Sequence, residues 1–142
     1  MMNILIAGAG KGIGKATADF AYERGHNVIA VSRTETDFQG RPYKTLDFDL
    51  GKPESVALLG SYSFDVDAIV NCTGTHPGRQ EIGESWDGDV TGIISQNVRP
   101  ALHLYQAFLP TFREKKRGHF VHVSSGALDF FDESESGYCA SK

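Results

Sequence analysis

Tyr138 and Lys142 stand four residues apart in the closing stretch SGYCASK, a spacing that puts both side chains on one face of a helix. A phenol ordinarily ionises at a pKa of about 10, too high to exchange protons readily at neutral pH. A neighbouring ammonium favours the phenolate and eases that exchange. The two residues could therefore work as an acid/base pair, giving a proton to an oxygen or taking one back. The simpler reading makes Tyr138 a half-buried aromatic.

The second stretch that could do chemistry is GAGKGIG, residues 8–14. Gly8, Gly12 and Gly14 lie between an apolar run and a helical pattern, where backbone N–H groups and a helix N-terminus face an incoming phosphate. The same glycines would also serve a tight strand-to-helix turn with no ligand. Three residues separate Gly8 from Gly12, against the single residue between the first two glycines of the common dinucleotide fingerprint.

These residues need a frame. NILIAGA (3–9) has the look of a strand buried on both faces. KGIGKATADFAYERG (11–25) carries Ile13, Ala16, Thr17 and Phe20 at helical spacing, with Gly25 as a stop signal. Further strands are expected over 26–32, 43–48, 66–72 and 119–125, with a short helix over 53–60 opened by Pro53. A long helix is expected from about Asp89 to Arg113, where Pro100 and Pro110 predict a kink or an early stop. The segment 126–135 reads as a polar, acidic loop, and a last helix of fewer than three turns opens near Ser134 or Ser136. Strands alternating with helices predict an α/β fold with a parallel sheet covered on both faces, in three layers.

The 142 residues suit one domain, 1–142, with 40% hydrophobic and 23% charged residues. A net charge of -4 argues against a nucleic-acid footprint. The one basic cluster, Arg113, Lys115, Lys116 and Arg117, sits where a helix should end and complements its dipole. Cys72 and Cys139 have no metal spacing, and the five histidines include no H-E-x-x-H arrangement, so no metal is expected. The apolar N-terminus runs straight into glycines and reads as a strand rather than a signal peptide. With no apolar run of membrane-spanning length, a cytoplasmic setting is the expectation.

The loop G-x-x-x-G-I-G resembles that of the short-chain dehydrogenase/reductase family, with Ala7 in place of the family's usual opening Thr. Other family motifs follow in order. Asn-Cys-Thr-Gly at 71–74 stands where the family has N-N-A-G, keeping Asn71 and Gly74. Asn97 matches the Asn of the long fourth helix. VHVSS closes the fifth strand, Ser125 precedes Tyr138 by thirteen positions, and Tyr138 with Lys142 completes Y-x-x-x-K. The resemblance spans the whole chain and implies a Rossmann-type doubly wound sheet ordered 3-2-1-4-5. Family members normally continue beyond this Lys, so the chain is expected to lack the family's C-terminal strands.

The resemblance implies hydride transfer between a nicotinamide and a carbonyl or alcohol substrate. Tyr138 would be the acid/base, Ser125 would bond the same substrate oxygen, and Asn97 would organise a water path behind Lys142. Gly8, Gly10, Lys11, Gly12, Ile13 and Gly14 would bind the cofactor, the loop's N–H groups facing its diphosphate; Lys142 would hold the nicotinamide ribose, and Tyr138 would also meet the cofactor. Asn71 and Gly74 would border the cofactor, and Asp49 and Leu50 would meet its adenine. An NAD site typically places an acid at the end of the second strand. Here Ser32 and Arg33 occupy that place, with no acid until Glu35, and Lys11 adds a second cation. Two cations and a missing acid favour NADP(H) over NAD(H), unless both are simply solvated.

The loop joining Ser125 to Tyr138 carries Asp129, Asp132, Glu133 and Glu135 around Phe130 and Phe131. These acids are solvated, or they select against anionic substrates. Two alternatives to an enzyme stand beside the main reading: an NADP(H)-binding module without turnover, and a shortened subunit needing a partner chain. Family members associate through the fourth and fifth helices, so with the fifth nearly absent a family-style homo-oligomer interface is expected to be incomplete.

Overall fold

The computed structural model describes residues 1–33, 40–63, 65–76, 88–130 and 136–142. The apolar runs form five strands, β1 (Asn3–Ala7), β2 (Asn27–Ser32), β3 (Lys44–Asp47), β4 (Ala68–Asn71) and β5 (His119–His122). Between and after them lie helices α1 (Gly12–Glu23), α2 (Glu54–Gly60), α3 (Gly88–Asn97), α4 (Arg99–Lys115) and α5 (Ser136–Ser141). The strands are all parallel and ordered β3-β2-β1-β4-β5, the order expected from the sequence.

In β1, Leu5 lies opposite Ile29 of β2 and Ile69 of β4. Side chains alternate along a strand, so Leu5 and Ala7 enter one core with Ile29, Val31 and Ile69, closed by Leu59 of α2 and Leu104 and Phe108 of α4. Ile6 enters the other with Val28 and Ala30, against Ala18 and Ala21 of α1. Leu5 and Ile6 both have 0% exposure, which is why β1 reads as an unbroken apolar run. Full burial of each such side chain contributes roughly 1.5–3 kcal/mol. β2 and β3 extend the sheet to one side of β1, and β4 and β5 to the other. The order therefore reverses between β1 and β4, the place where such sheets leave a crevice beyond their carboxyl ends.

Several boundaries differ from the expectations. β1 stops at Ala7 because the N–H groups of Gly8 and Ala9 both turn to the Val31 carbonyl, at 2.9 and 3.0 Å. The long helix divides at Val98 into α3 and α4. Pro100, in the first turn of α4, has no N–H to bond back into α3, so a break is cheapest there. Pro110 does not stop α4, which continues to Lys115 with Phe108, Thr111 and Phe112 buried around it. The end comes at Lys116, in the left-handed region at φ 54°, a common way to close a helix. Arg113 and Lys115 lie in its last turn. β5 ends at His122, so Ser125 does not close the strand; it precedes a single 3-10 turn, Gly126–Leu128.

Candidate functional site

Two close approaches shape the glycine loop. Gly8 has φ 77°, and a Cβ there would lie 2.9 Å from the Cys72 carbonyl group and the Thr73 nitrogen, where the chain leaves β4. A Cβ on Gly14 would fall 2.2 Å from the Gly8 oxygen. Both glycines let backbone pass against backbone and seat the start of α1 over the end of β1. The residue before α1, Lys11, makes no side-chain cap, and the first turn holds no acid. The unpaired N–H groups and positive dipole end of α1 are thus left for an anion.

A cavity of about 620 Å³ lies along this loop. Gly8, Gly10 and Lys11 of the glycine loop line it beside Val31, Ser32 and Arg33 at the end of β2. Phe48, Asp49 and Leu50 follow β3, and Cys72, Thr73 and Gly74 follow β4; Gln96 and Pro100 close it from α3 and α4. Of the expected cofactor residues, Gly8, Gly10, Lys11, Ser32, Arg33, Asp49, Leu50 and Gly74 therefore line one space. Asp49 accepts the Gly51 N–H at 2.8 Å, fixing its carboxylate in a local turn. Gly12, Ile13, Gly14 and Asn71 are not among the lining residues. Ile13 is 63% exposed. Buried Asn71 acts on its neighbours: its Oδ1 accepts from the Thr73 N–H at 3.0 Å and the Thr73 hydroxyl at 2.6 Å.

The expected catalytic residues gather beyond Gly74. Asn97 ends α3 and is buried. Its Oδ1 accepts the Thr75 N–H at 2.7 Å, and its Nδ2 donates to the Thr75 carbonyl at 3.0 Å and to the Ser141 hydroxyl at 2.8 Å. Ser141 in turn donates to the Tyr138 carbonyl at 2.7 Å. One amide thus ties the exit of β4 to α5. The Lys142 ammonium donates to the Val123 carbonyl at 3.0 Å. Tyr138 is half-buried, its ring meeting the His76 ring edge-on at 4.6 Å. Ser125 accepts the Ala127 N–H at 3.2 Å, and the buried Cys139 thiol reaches the Ala127 carbonyl at 3.4 Å. The turn bearing Ser125 and the helix bearing Tyr138 are therefore joined. Among the described residues, no hydrogen bond links the Tyr138 hydroxyl to Ser125 or to Lys142.

Burial pushes the Cys72 thiol up, outweighing the nearby Lys142 charge, so this cavity-lining cysteine stays protonated and is a poor nucleophile. No group of His, Cys, Asp or Glu side chains among the described residues could hold a metal ion, and none of the helices described is long and apolar enough to cross a membrane. Asp129 and Phe130 are exposed. Glu35, Phe131, Asp132, Glu133 and Glu135 lie outside the described residues.

Sequence reasoning missed Gln96 and His76, which carry no motif signal, and read Thr73 only as a departure from the N-N-A-G pattern. It also missed Arg41, whose guanidinium donates to the Ala9 carbonyl at 2.7 Å and the Gly10 carbonyl at 2.8 Å. No periodicity marks a contact made across more than thirty residues.

A model of the family described as short chain dehydrogenase matches residues 2–142. An NADP-dependent 3-hydroxy acid dehydrogenase of Salmonella typhi is 29% identical over 136 residues, covering 89% of this chain and 55% of that protein. An NADPH-dependent pterin aldehyde reductase of Arabidopsis thaliana is 29% identical over 151 residues, covering 98% of this chain and 62% of that protein. Serine dehydrogenase from Escherichia coli has the same fold, with a TM-score of 0.90 at 24% identity over 99% of this chain and 69% of that one. The chain spans 55% and 62% of the length of the two curated relatives.

Proposed function

The chain belongs to the short-chain dehydrogenase/reductase family of oxidoreductases, and on that premise we propose that it binds NADP(H) and serves hydride transfer between the nicotinamide and a carbonyl or alcohol substrate. One observation carries the reading: one cavity is lined both by the glycine loop, with its uncapped and acid-free helix start, and by Ser32 and Arg33 at the end of β2. The residues fit a dinucleotide's diphosphate at the loop and a 2′-phosphate beside it, at Lys11, Ser32 and Arg33. Two of the relatives are named for dependence on NADP or NADPH, which agrees with that fit.

The loop N–H groups and the start of α1 would hold the diphosphate. Arg33, Ser32 and Lys11 would hold the 2′-phosphate, and Asp49 and Leu50 would border the adenine. Lys142 would hold the nicotinamide ribose. The bound nicotinamide supplies or accepts the hydride. Tyr138 would give its hydroxyl proton to the substrate oxygen in reduction and take it back in oxidation. Ser125 already accepts one hydrogen bond from Ala127, so its single proton is directed elsewhere and would meet the same substrate oxygen. Asn97 would keep Thr75 and α5 in register with one another.

Calorimetric titration with NADPH and NADH tests this reading. Micromolar binding with a preference for NADPH is expected; equal affinity removes the 2′-phosphate role of Arg33, and binding of neither overturns the reading. A second reading is cofactor binding without turnover. NADPH consumption with a panel of aldehydes and ketones separates the two.

A further inference from the structure

We propose that Arg41 is a positioning residue for the glycine loop, setting the direction of the N–H groups that would bind the dinucleotide's diphosphate. The proposal rests on the reading of the cavity as a dinucleotide site. The half-buried Arg41 guanidinium holds two consecutive carbonyls, Ala9 at 2.7 Å and Gly10 at 2.8 Å, one on each of its terminal nitrogens. No peptide bond described is cis, and in a trans peptide the carbonyl and the next N–H point in opposite directions. With both carbonyls drawn to Arg41, the N–H groups of Gly10 and Lys11 point away from it. Gly10 and Lys11 line the cavity, whereas Arg41 does not. The guanidinium therefore works from behind the loop.

The loop has few other ways to fix this orientation. The N–H groups of Gly8 and Ala9 are already committed to the Val31 carbonyl, and Lys11 provides no side-chain cap. Left alone, the two peptides after Ala9 could rotate, and a cation on their oxygens opposes that rotation. The same bonds polarise each peptide and strengthen its N–H as a donor. Arg41 is itself held. Its Nη1 donates to the Tyr43 hydroxyl at 3.2 Å, and that hydroxyl donates to Asp19 of α1 at 2.8 Å. The Tyr43 ring is buried against Ala18 and Ala21 of the same helix. Loop and helix are thereby locked through one tyrosine, and the anion site keeps its shape before any anion arrives.

The diphosphate is common to NADPH and NADH, so the signature of this role is a loss shared equally by both. Calorimetry on the 142-residue chain would compare NADPH, NADH and adenosine 2′-monophosphate, which has no diphosphate, in the wild type and in Arg41→Gln and Arg41→Lys. Arg41→Gln should weaken both dinucleotides by the same factor, about tenfold, and leave the monophosphate within about twofold. Arg41→Lys, able to reach one carbonyl, should fall between. In amide NMR without ligand, the Gly10 and Lys11 signals should move in Arg41→Gln. If that variant does not fold, Tyr43→Phe carries the test, keeping the ring in the core and removing the hydroxyl that steadies the guanidinium; a smaller loss, again equal for both dinucleotides, is expected. Unchanged dinucleotide binding overturns the proposal, as does a loss confined to NADPH, which would place Arg41 at the 2′-phosphate. A matching loss for the monophosphate overturns it too, as general damage to the fold. If the wild type binds neither dinucleotide, the dinucleotide reading itself falls, an outcome distinct from the others.

Discussion

Asn97 and Lys142 converge on Gly74: a Cβ built on that glycine would stand 3.3 Å from the Asn97 Oδ1 and 3.3 Å from the Lys142 Nζ. Two residues forty-five positions apart in sequence thus share the space that a missing methyl leaves open. Gly74 also has φ 148°, a conformation that residues with a side chain rarely adopt.

Gly74→Ala should therefore fail twice, through backbone strain and through crowding. Strain of this kind costs about 1–3 kcal/mol, to be read as a lowered midpoint in urea unfolding. Because Lys142 is one of the crowded neighbours, NADPH affinity should fall as well.

Arg33→Ala should weaken NADPH by roughly tenfold, one charge-assisted contact, and leave NADH unchanged. Lys11→Ala should act in the same direction. Titrations at two salt concentrations would add a check, since the NADPH preference of the wild type should shrink as salt rises.

Tyr138→Phe keeps the ring that meets His76 and removes the proton. NADPH affinity should stay within about twofold while NADPH consumption with a carbonyl substrate falls by about 10²- to 10⁴-fold. Retained consumption would remove Tyr138 from the acid/base role.

His122 gives the fold an acid-side weakness. Asn71 uses its Oδ1 on Thr73, so its Nδ2 faces the His122 Nδ1 at 3.2 Å as donor, and the His122 Nε2 is left to donate to the Tyr105 hydroxyl at 2.9 Å. This arrangement needs a neutral ring, and burial lowers the His122 pKa below its ordinary value of 6.5. The unfolded chain then binds a proton that the folded chain resists, so stability falls as pH drops from about 6.5 toward the lowered value. Thermal midpoints measured across that range should decline, and His122→Gln should flatten the decline.

The sheet was legible because its chemistry is local: runs buried on both faces lose alternation, and glycines punctuate them. The strand order, and the placing of Gly8, Lys11, Ser32, Arg33 and Asp49 at the cofactor, are what the family resemblance implies; the order holds and all five residues line the cavity. Other features depend on contacts no short window contains. Ser125 lies past the β5 ladder because the last sheet bond in that direction, from the Val123 N–H to the Asn71 carbonyl, is set by the end of β4. Pro110 stays inside α4 because buried neighbours outweigh one missing hydrogen bond. Asn71 matches a motif expected beside the cofactor, and its side chain bonds Thr73 and His122, partners that the motif does not name. Arg41 was invisible because its partners are carbonyls, which every residue has.

The doubly used carbonyl of Val31 has a mechanical consequence. Val31 accepts from both Gly8 and Ala9, and the very next residues are Ser32 and Arg33. The glycine loop and the Ser32–Arg33 corner are therefore bolted side by side to one peptide group and keep a fixed separation, like the jaws of a gauge set to one length. A ligand that touches both must already present its binding groups at that separation, and one that lacks either group can grip only one jaw.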